Sequence, residues 1–351
     1  MFALAQPRIN GVGTAVPEHR VPQEEAKRFF VDIFREGDLD VDRLSSVFDN
    51  AQIDMRYFCT PLEWLAEDRS FEEKNTRYIE HATDLGAQAA KQALEEAAIT
   101  PREIHSIVVV SSGGIAVPSL DARIIEKLGL SRHVTRKSLF GLGCAGGVNG
   151  ISHAADYARG NPGQNVLFVA VEPNMLTFQR NDLSETNFVS CSIFGDGAAA
   201  VVLNTWGKGP KFIGRHNTLI PCTDDILGWD IINTGFKVRL SSHLPSVVLA
   251  HLPQLFEDAC DRWGISRQHI SNFLIHPGGA RVLKGCVETL DLTEAHLVHS
   301  AGILRDYGNM SSPTALFVLD RYMKQATQNG EYSLMIGFGP GFSTDQALLQ
   351  W

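Results

Sequence analysis

The chain repeats itself, and this constrains its fold more than any other feature. Ile99-Thr-Pro-Arg-Glu-Ile104 leads into the β-rich run Ile107 to Val110 and then Ser112-Gly113. Ile265-Ser-Arg-Gln-His-Ile270 leads into Phe273-Leu-Ile and then Gly278-Gly279, with each landmark at one constant offset from its counterpart. An amphipathic helical pattern precedes each copy, over about Thr76–Ala98 and about Pro245–Trp263. The spacing then recurs: Ser111 precedes Cys144 by the same interval that separates His276 from Asn309. Cys144-Ala-Gly-Gly and Asn309-Met-Ser-Ser each read as a helix start. Phe194-Gly-Asp-Gly and Phe338-Gly-Pro-Gly each border an apolar strand. Several matches in one order predict a duplicated α/β unit, with halves at 1–205 and 206–351. Between the landmarks, helical segments (about Leu120–Leu128, Val148–Arg159) alternate with buried strands (Val166–Val171), as in layered α/β proteins.

Bulk properties narrow the function. A net charge of −9 gives no general basic face for nucleic acid or an anionic membrane. No apolar run approaches a membrane span of about 20 residues. Met1 to Pro7 shows no basic stretch followed by a long apolar one, so no signal peptide is expected. Six cysteines lie far apart without a Cys-x-x-Cys pair, which reads as reduced thiols in a cytoplasmic protein.

Cys144 stands out among them. Gly141-Leu-Gly-Cys-Ala-Gly-Gly147 precedes a helical segment, whose positive end favours a thiolate. The glycines admit a bulky thioester and leave N–H groups for an oxyanion. Cys59, Cys191, Cys222, Cys260 and Cys286 lack such a frame and read as packing residues. His276 follows an apolar strand and precedes Pro277-Gly-Gly, at the strand end where α/β crevices form. Asn309, in Tyr307-Gly-Asn-Met-Ser-Ser-Pro313, is either a helix N-cap or an amide donor. A pseudo-twofold would bring the Cys144 and Asn309 turns to one crevice beside His276. A thiol, an imidazole and an amide suit acyl transfer followed by decarboxylation.

The frame around Cys144, His276-Pro-Gly-Gly, Gly308-Asn-Met-Ser-Ser-Pro and Gly337-Phe-Gly-Pro-Gly-Phe resemble the chalcone synthase-like type III polyketide synthases, from about residue 75 onward. The resemblance implies a thiolase-like duplicated fold in five layers, αβαβα, from two pseudo-symmetric halves. It implies a homodimer that uses acyl-CoA and malonyl-CoA through a pantetheine tunnel, with no metal and no organic cofactor. It makes Cys144, His276 and Asn309 the catalytic triad. Phe194 matches a Phe guarding the tunnel junction. Val238 stands where a second Phe is usual, with Phe236 two positions earlier, which reshapes that junction. Thr177, Ser311 and Trp229 fall at positions that shape the elongation cavity, and Gly279 and Ala280 follow the His turn as substrate contacts. Arg43 and Arg56 are candidates for the CoA phosphates, although Ser46 and Asn50 dilute the basic segment.

Val117-Pro-Ser-Leu-Asp-Ala-Arg123, Leu176-Thr-Phe-Gln-Arg180 and Gly228-Trp-Asp look more like bacterial alkylpyrone and alkylresorcinol synthases. The expectation is therefore an aliphatic primer, two or three malonyl-CoA extensions and ring closure. A ketoacyl synthase III-like enzyme, making one condensation with a carrier protein, remains the principal alternative. Gly141-Leu-Gly-Cys-Ala-Gly146, with Glu172 ending the next strand, also mimics the fingerprint of an NAD-dependent oxidoreductase. Thr135–Phe140 is too polar for the buried strand that this motif needs. A scaffold that only binds acyl-CoA is a third alternative. His296 and His299 read as a surface pair, and Asp224-Asp225 as a solvated loop.

Overall fold

The duplication is realised as two sheets built to one plan. The computed structural model describes residues 5–325 and 329–351; residues 1–4, part of the stretch read above for a leader, lie outside them. The first half holds β1 (Arg8–Ala15), β2 (His19–Pro22), β3 (Met55–Phe58), β4 (Ile104–Val110), β5 (Thr135–Leu139), β6 (Asn165–Glu172) and β7 (Gly197–Asn204). The second holds β8 (Lys211–Leu219), β9 (Leu227–Ile232), β10 (Gly235–Leu240), β11 (Ile270–Ile275), β12 (Tyr332–Gly339) and β13 (Ser343–Gln350).

The first sheet runs β1-β7-β6-β4-β5 and the second β8-β13-β12-β11, joined by the single pair Arg8↔Lys211. In each sheet the pattern of senses is the same. β4 and β6 are parallel while β6, β7 and β1 alternate. β11 and β12 are parallel while β12, β13 and β8 alternate. The constant offset of the sequence repeat thus marks β4 and β11 as symmetry mates.

Strand alternation sorts side chains into layers. Val108, Val110, Phe168 and Ala170 face inward with Leu274, Met335 and Ala347, onto the helices Gly146–Gly160 and Thr314–Met323. Ile107, Val109, Leu167 and Val169 face outward onto Phe71–Glu96 and Leu120–Leu128. Phe273, Ile275, Leu334 and Ile336 face outward onto Leu244–Trp263 and Ala280–Thr289. These are the five layers expected. Gly13 of β1 lets the Phe71–Glu96 helix approach closely: a Cβ there would sit 2.1 Å from the Ala89 carbonyl oxygen.

Two local expectations change and a third is sharpened. The first long helix begins at Phe71, not near Thr76, because Ser70 and Glu73 form a capping box. Thr135–Leu139 is not a buried strand, in keeping with its polarity, but it still pairs in parallel with β4 as the edge strand, with four of its five side chains exposed. Asn309-Met-Ser-Ser does not open a helix, which begins at Thr314 after Pro313.

Candidate active site

Cys144 sits on a single 3₁₀ turn (Gly143–Ala145) that runs into the Gly146–Gly160 helix. Gly143 makes the turn possible, with a φ of 48°. The Phe338-Gly-Pro-Gly segment packs against it so closely that a Cβ on Gly339 would sit 2.6 Å from the Leu142 carbonyl oxygen. A motif from each half therefore interlocks beside the thiol.

Asn309 comes from the other half. Gly308, at φ 70°, ends the Val298–Tyr307 helix, and Asn309 then lies in a parallel bridge with Phe194. Its backbone N–H donates to the Ile193 carbonyl at 2.9 Å, and its carbonyl accepts from the Gly195 N–H at 3.0 Å. Asn309 is thus no helix cap. Its Oδ1 accepts from the Ser311 N–H at 2.8 Å and lies 3.9 Å from the Cys144 Sγ. Its Nδ2 donates to the Gly278 carbonyl at 3.1 Å, leaving one N–H for a ligand. Ser311 holds its Oγ 3.4 Å from the same sulfur.

His276 follows β11 and is anchored through its N–H to the Ile336 carbonyl at 2.8 Å. The ring is buried, and neither nitrogen has a hydrogen-bond partner among the described residues. A Cβ on Gly278 would lie 3.6 Å from the ring, so the carbonyl that Asn309 grips belongs to the turn packed on the imidazole. Burial lowers the His276 pKa to about 3, so the imidazole is neutral, with one N–H and one lone pair.

Burial also governs the thiol. It raises Cys144 to about 11; the sulfur's hydrogen bonds with Ser311 and Asn309 pull back, while the charge of Glu172, when ionised, adds to the rise. The effect of the helix N-terminus, which favours a thiolate, is outweighed by burial, because desolvation penalises the charged form. Burial thus favours the neutral form of both the Cys144 thiol and the His276 imidazole.

Thr177, Phe194, Trp229 and Val238 line one narrow pocket, together with Asn174, Met175, Phe178, Asn187, Ser190 and Cys191. No charged side chain lines it among the described residues. Trp229 and Val238 face each other across the β9–β10 hairpin. Phe236 lines a separate shallow pocket with Lys74 and Leu176 and packs edge-on against Phe71, at 5.8 Å. Gly279 and Ala280 are half-buried at the start of the Ala280–Thr289 helix.

The arginine expectations change most. Arg56 is fully buried, its guanidinium donating to the Cys191 and Phe194 carbonyls at 2.6 and 2.7 Å. It is a structural strut under Phe194, out of reach of a phosphate at the surface. Arg43 is exposed and lies 3.8 Å from Asp40, outside the cavities described above. Cys222 is exposed at φ 59°, not packed. His296 accepts at a helix start from the Thr293 N–H, and His299 pairs with Gln325, so neither faces the site. Asp224 and Asp225 are exposed.

One neighbour of the thiol escaped the catalytic reading of the sequence. Glu172, at the end of β6, is buried and bonded to Ser112 and Ser312. Its position after the Gly141–Gly146 motif had suggested only a dinucleotide fingerprint. Family models for chalcone and stilbene synthases match nearly the whole chain, the N-terminal domain over residues 3–207 and the C-terminal domain over 213–350. The chain belongs to this family. It is a type III polyketide synthase, a condensing acyltransferase. A putative chalcone synthase of Bacillus subtilis is 35% identical, over 98% of both chains. A 1,3,6,8-tetrahydroxynaphthalene synthase of Streptomyces peucetius is 33% identical, over 98% of this chain and 93% of that one. The crystal structure of 1,3,6,8-tetrahydroxynaphthalene synthase from Streptomyces coelicolor superposes with a TM-score of 0.93 at 27% identity, covering 98% and 99%. Among the described residues no helix is long and apolar enough to cross a membrane.

Proposed function

We propose that this polyketide synthase takes an aliphatic acyl group from acyl-CoA onto Cys144 and extends it with malonyl-CoA. Two or three extensions then close to an alkylpyrone or alkylresorcinol-type product. The observation that carries the aliphatic primer is the pocket wall beside Phe194, where Met175, Phe178, Trp229 and Val238 add apolar surface to the polar Asn174, Thr177, Asn187 and Ser190, and the smaller Val238 stands where the resemblance expects a second Phe.

The chemistry follows from the protonation states. Neutral His276 accepts the Cys144 proton as sulfur attacks the acyl carbonyl, and returns it to the departing CoA thiolate. Malonyl-CoA then loses CO₂, and its thioester oxygen gains the charge of an enolate. The free Asn309 N–H and the His276 N–H stabilise that charge where it grows. The enolate carbon bonds to the acyl carbon, and the Cys144 thiolate leaves. No metal or organic cofactor is needed for these steps.

Labelled malonyl-CoA with a ladder of acyl-CoA starters, followed by mass spectrometry, tests the reading. Cys144-dependent triketide or tetraketide pyrones from aliphatic starters are expected, with none from Cys144→Ala. Tetrahydroxynaphthalene from malonyl-CoA alone, the product for which the Streptomyces relative is named, would overturn the aliphatic primer. Consumption of carrier-bound malonyl units only, in one condensation, would favour the ketoacyl synthase alternative.

The site is also proposed to work as a homodimer in the cytoplasm. β5 leaves one edge of the first sheet unpaired, and Ile115, Val117, Phe140 and Ile231 expose apolar surface near it. Light scattering at micromolar concentration should give twice the chain mass.

A further inference from the structure

Glu172 occupies a singular place. It closes β6 in the first half, and its carboxyl is buried. Oε2 accepts from the Ser112 N–H at 3.0 Å, and Oε1 accepts from the Ser312 hydroxyl at 2.9 Å. The Ser112 hydroxyl in turn accepts from the Gly143 N–H at 3.2 Å. Gly143 is the chain neighbour of Cys144, and Ser312 is the chain neighbour of Ser311, whose hydroxyl contacts the sulfur. One side chain therefore grips both walls of the thiol, and those walls come from different halves.

We propose that Glu172 is a positioning residue that locks the Cys144 turn against the Asn309–Ser312 turn. The spacing of thiol, amide and hydroxyl is then maintained through each condensation. The inference rests on the Cys144 condensation proposed above. A carboxyl suits the task because its two oxygens reach both walls and accept from them, while the proton it holds when neutral can be donated to a serine hydroxyl. The Ser112 and Gly113 N–H groups and the Ser111 and Ser312 hydroxyls all bond to it. Each buried donor left without it would lose a partner that water cannot replace.

The ionisable groups that feel Glu172 are the Cys144 thiol and the Tyr78 hydroxyl. Tyr78 donates to Ser111 at 2.8 Å and so braces the same loop. Burial raises Glu172 to about 8, with the bonds from Ser112, Ser312, Gly113 and Ser111 pulling back. Near neutral pH the carboxyl is mostly uncharged. It holds the walls without opposing the negative sulfur that forms when the enolate has attacked.

The wild type, E172A, E172Q and E172D are compared by two readouts. One is steady-state consumption of malonyl-CoA. The other is the alkylation rate of Cys144 by iodoacetamide, which needs no turnover. E172A should lose about 100-fold in kcat with KM nearly unchanged, as for a misplaced reacting group. E172Q, which spans the same distance with an acceptor and a donor, should recover to within about threefold of wild type, well under the tenfold that about 1.36 kcal/mol represents. E172D, one methylene short, should stay near E172A. Full kcat in E172A, or E172D active while E172Q is not, would overturn the proposal, the latter by making charge and not reach the property that matters. If E172A does not fold, the contrast of E172Q with E172D decides alone. If Cys144→Ala still condenses, the reading of the nucleophile has failed. Altered Cys144 alkylation in E172A and its restoration in E172Q then still report on the lock.

Discussion

Ser311 places its hydroxyl 3.4 Å from the sulfur of Cys144, and it does so from a left-handed backbone conformation with φ 62°. That conformation is unfavourable for a residue with a Cβ. The strain is retained where the side chain meets the reacting atom. The hydroxyl oxygen accepts from the thiol here, and once the sulfur is ionised the same hydroxyl turns to donate to a thiolate that burial otherwise disfavours. Ser311→Ala should therefore raise the apparent pKa for alkylation of Cys144 by about one unit, the equivalent of a charge-assisted bond of about 1.5 kcal/mol. The rate of iodoacetamide modification against pH measures it, with the exposed Cys222 replaced by Ser. Ser311→Gly should show the same shift but be about 1 kcal/mol more stable than the Ala variant, because Gly carries no left-handed penalty. An unchanged pH profile in both variants would show that the hydroxyl does not serve the sulfur.

The two buried titratable groups around the thiol give stability opposite pH dependences. Glu172 is raised from 4.5 to about 8 by burial. Its contribution is fully present below about 4.5 and is lost as pH rises through 8, because only the unfolded chain ionises it in that window. His276 is lowered from 6.5 to about 3 by burial. Its contribution is present above about 6.5 and is lost as pH falls through about 3. Glu172→Gln should thus gain on the wild type by up to about 1.4 kcal/mol per pH unit between about pH 5 and 8. His276→Asn should gain on the wild type as pH falls below about 6.5. Urea midpoints at several pH values separate the two, and parallel curves for wild type and Glu172→Gln would contradict the assignment.

Much of this arrangement was legible in the sequence because duplication fixes distances. The constant offset between Ile99–Gly113 and Ile265–Gly279 paired β4 with β11, and the equal intervals from Ser111 and His276 brought Cys144 and Asn309 to one place. Features decided by backbone partners were not legible. Thr135–Leu139 reads as too polar for a buried strand, and it is not one; its pairing escaped the sequence because an edge strand needs only its neighbour's N–H and C=O groups while its side chains remain in water. Arg56 reads as a surface cation, but its partners are two carbonyls from a distant stretch of chain, those of Cys191 and Phe194. No motif marks them. Glu172 was hidden for the same reason, since Ser112 and Ser312 flank residues that a motif search already explains.

Arg56 is consequently a stability residue. Burial lowers it to about 10, and its bonds to the Cys191 and Phe194 carbonyls hold the segment that carries Phe194. Gly195 and Gly308 make room for it, since a Cβ on Gly308 would lie 2.9 Å from its side chain. Arg56→Ala would empty that space and strand two buried acceptors. The expected loss is about 3–5 kcal/mol in urea unfolding. In the fraction that stays folded, KM for malonyl-CoA should remain near the wild-type value. A tenfold or larger rise in KM with normal stability would instead return Arg56 to the phosphate-binding role.

Val238 is the point where chain length of the starter should be set. It lies opposite Trp229 in the β9–β10 hairpin and lines the same cavity as Phe194 and Thr177. Val238→Phe would drive a ring into the narrow pocket that Phe194 and Thr177 also line. Overpacking should cost about 1–3 kcal/mol of stability, which the melting temperature reports. The effect on specificity is larger and selective. A long acyl chain must pass the new ring, whereas an acetyl or butyryl group need not. kcat/KM for long-chain starters should fall at least about tenfold, while that for short ones changes less than about threefold, consistent with the few kcal/mol that pocket shape contributes to discrimination. A uniform fall across the starter ladder would indicate damage to the site and not a gate. An unchanged ladder would place the starter chain elsewhere, away from the cavity that Val238 lines.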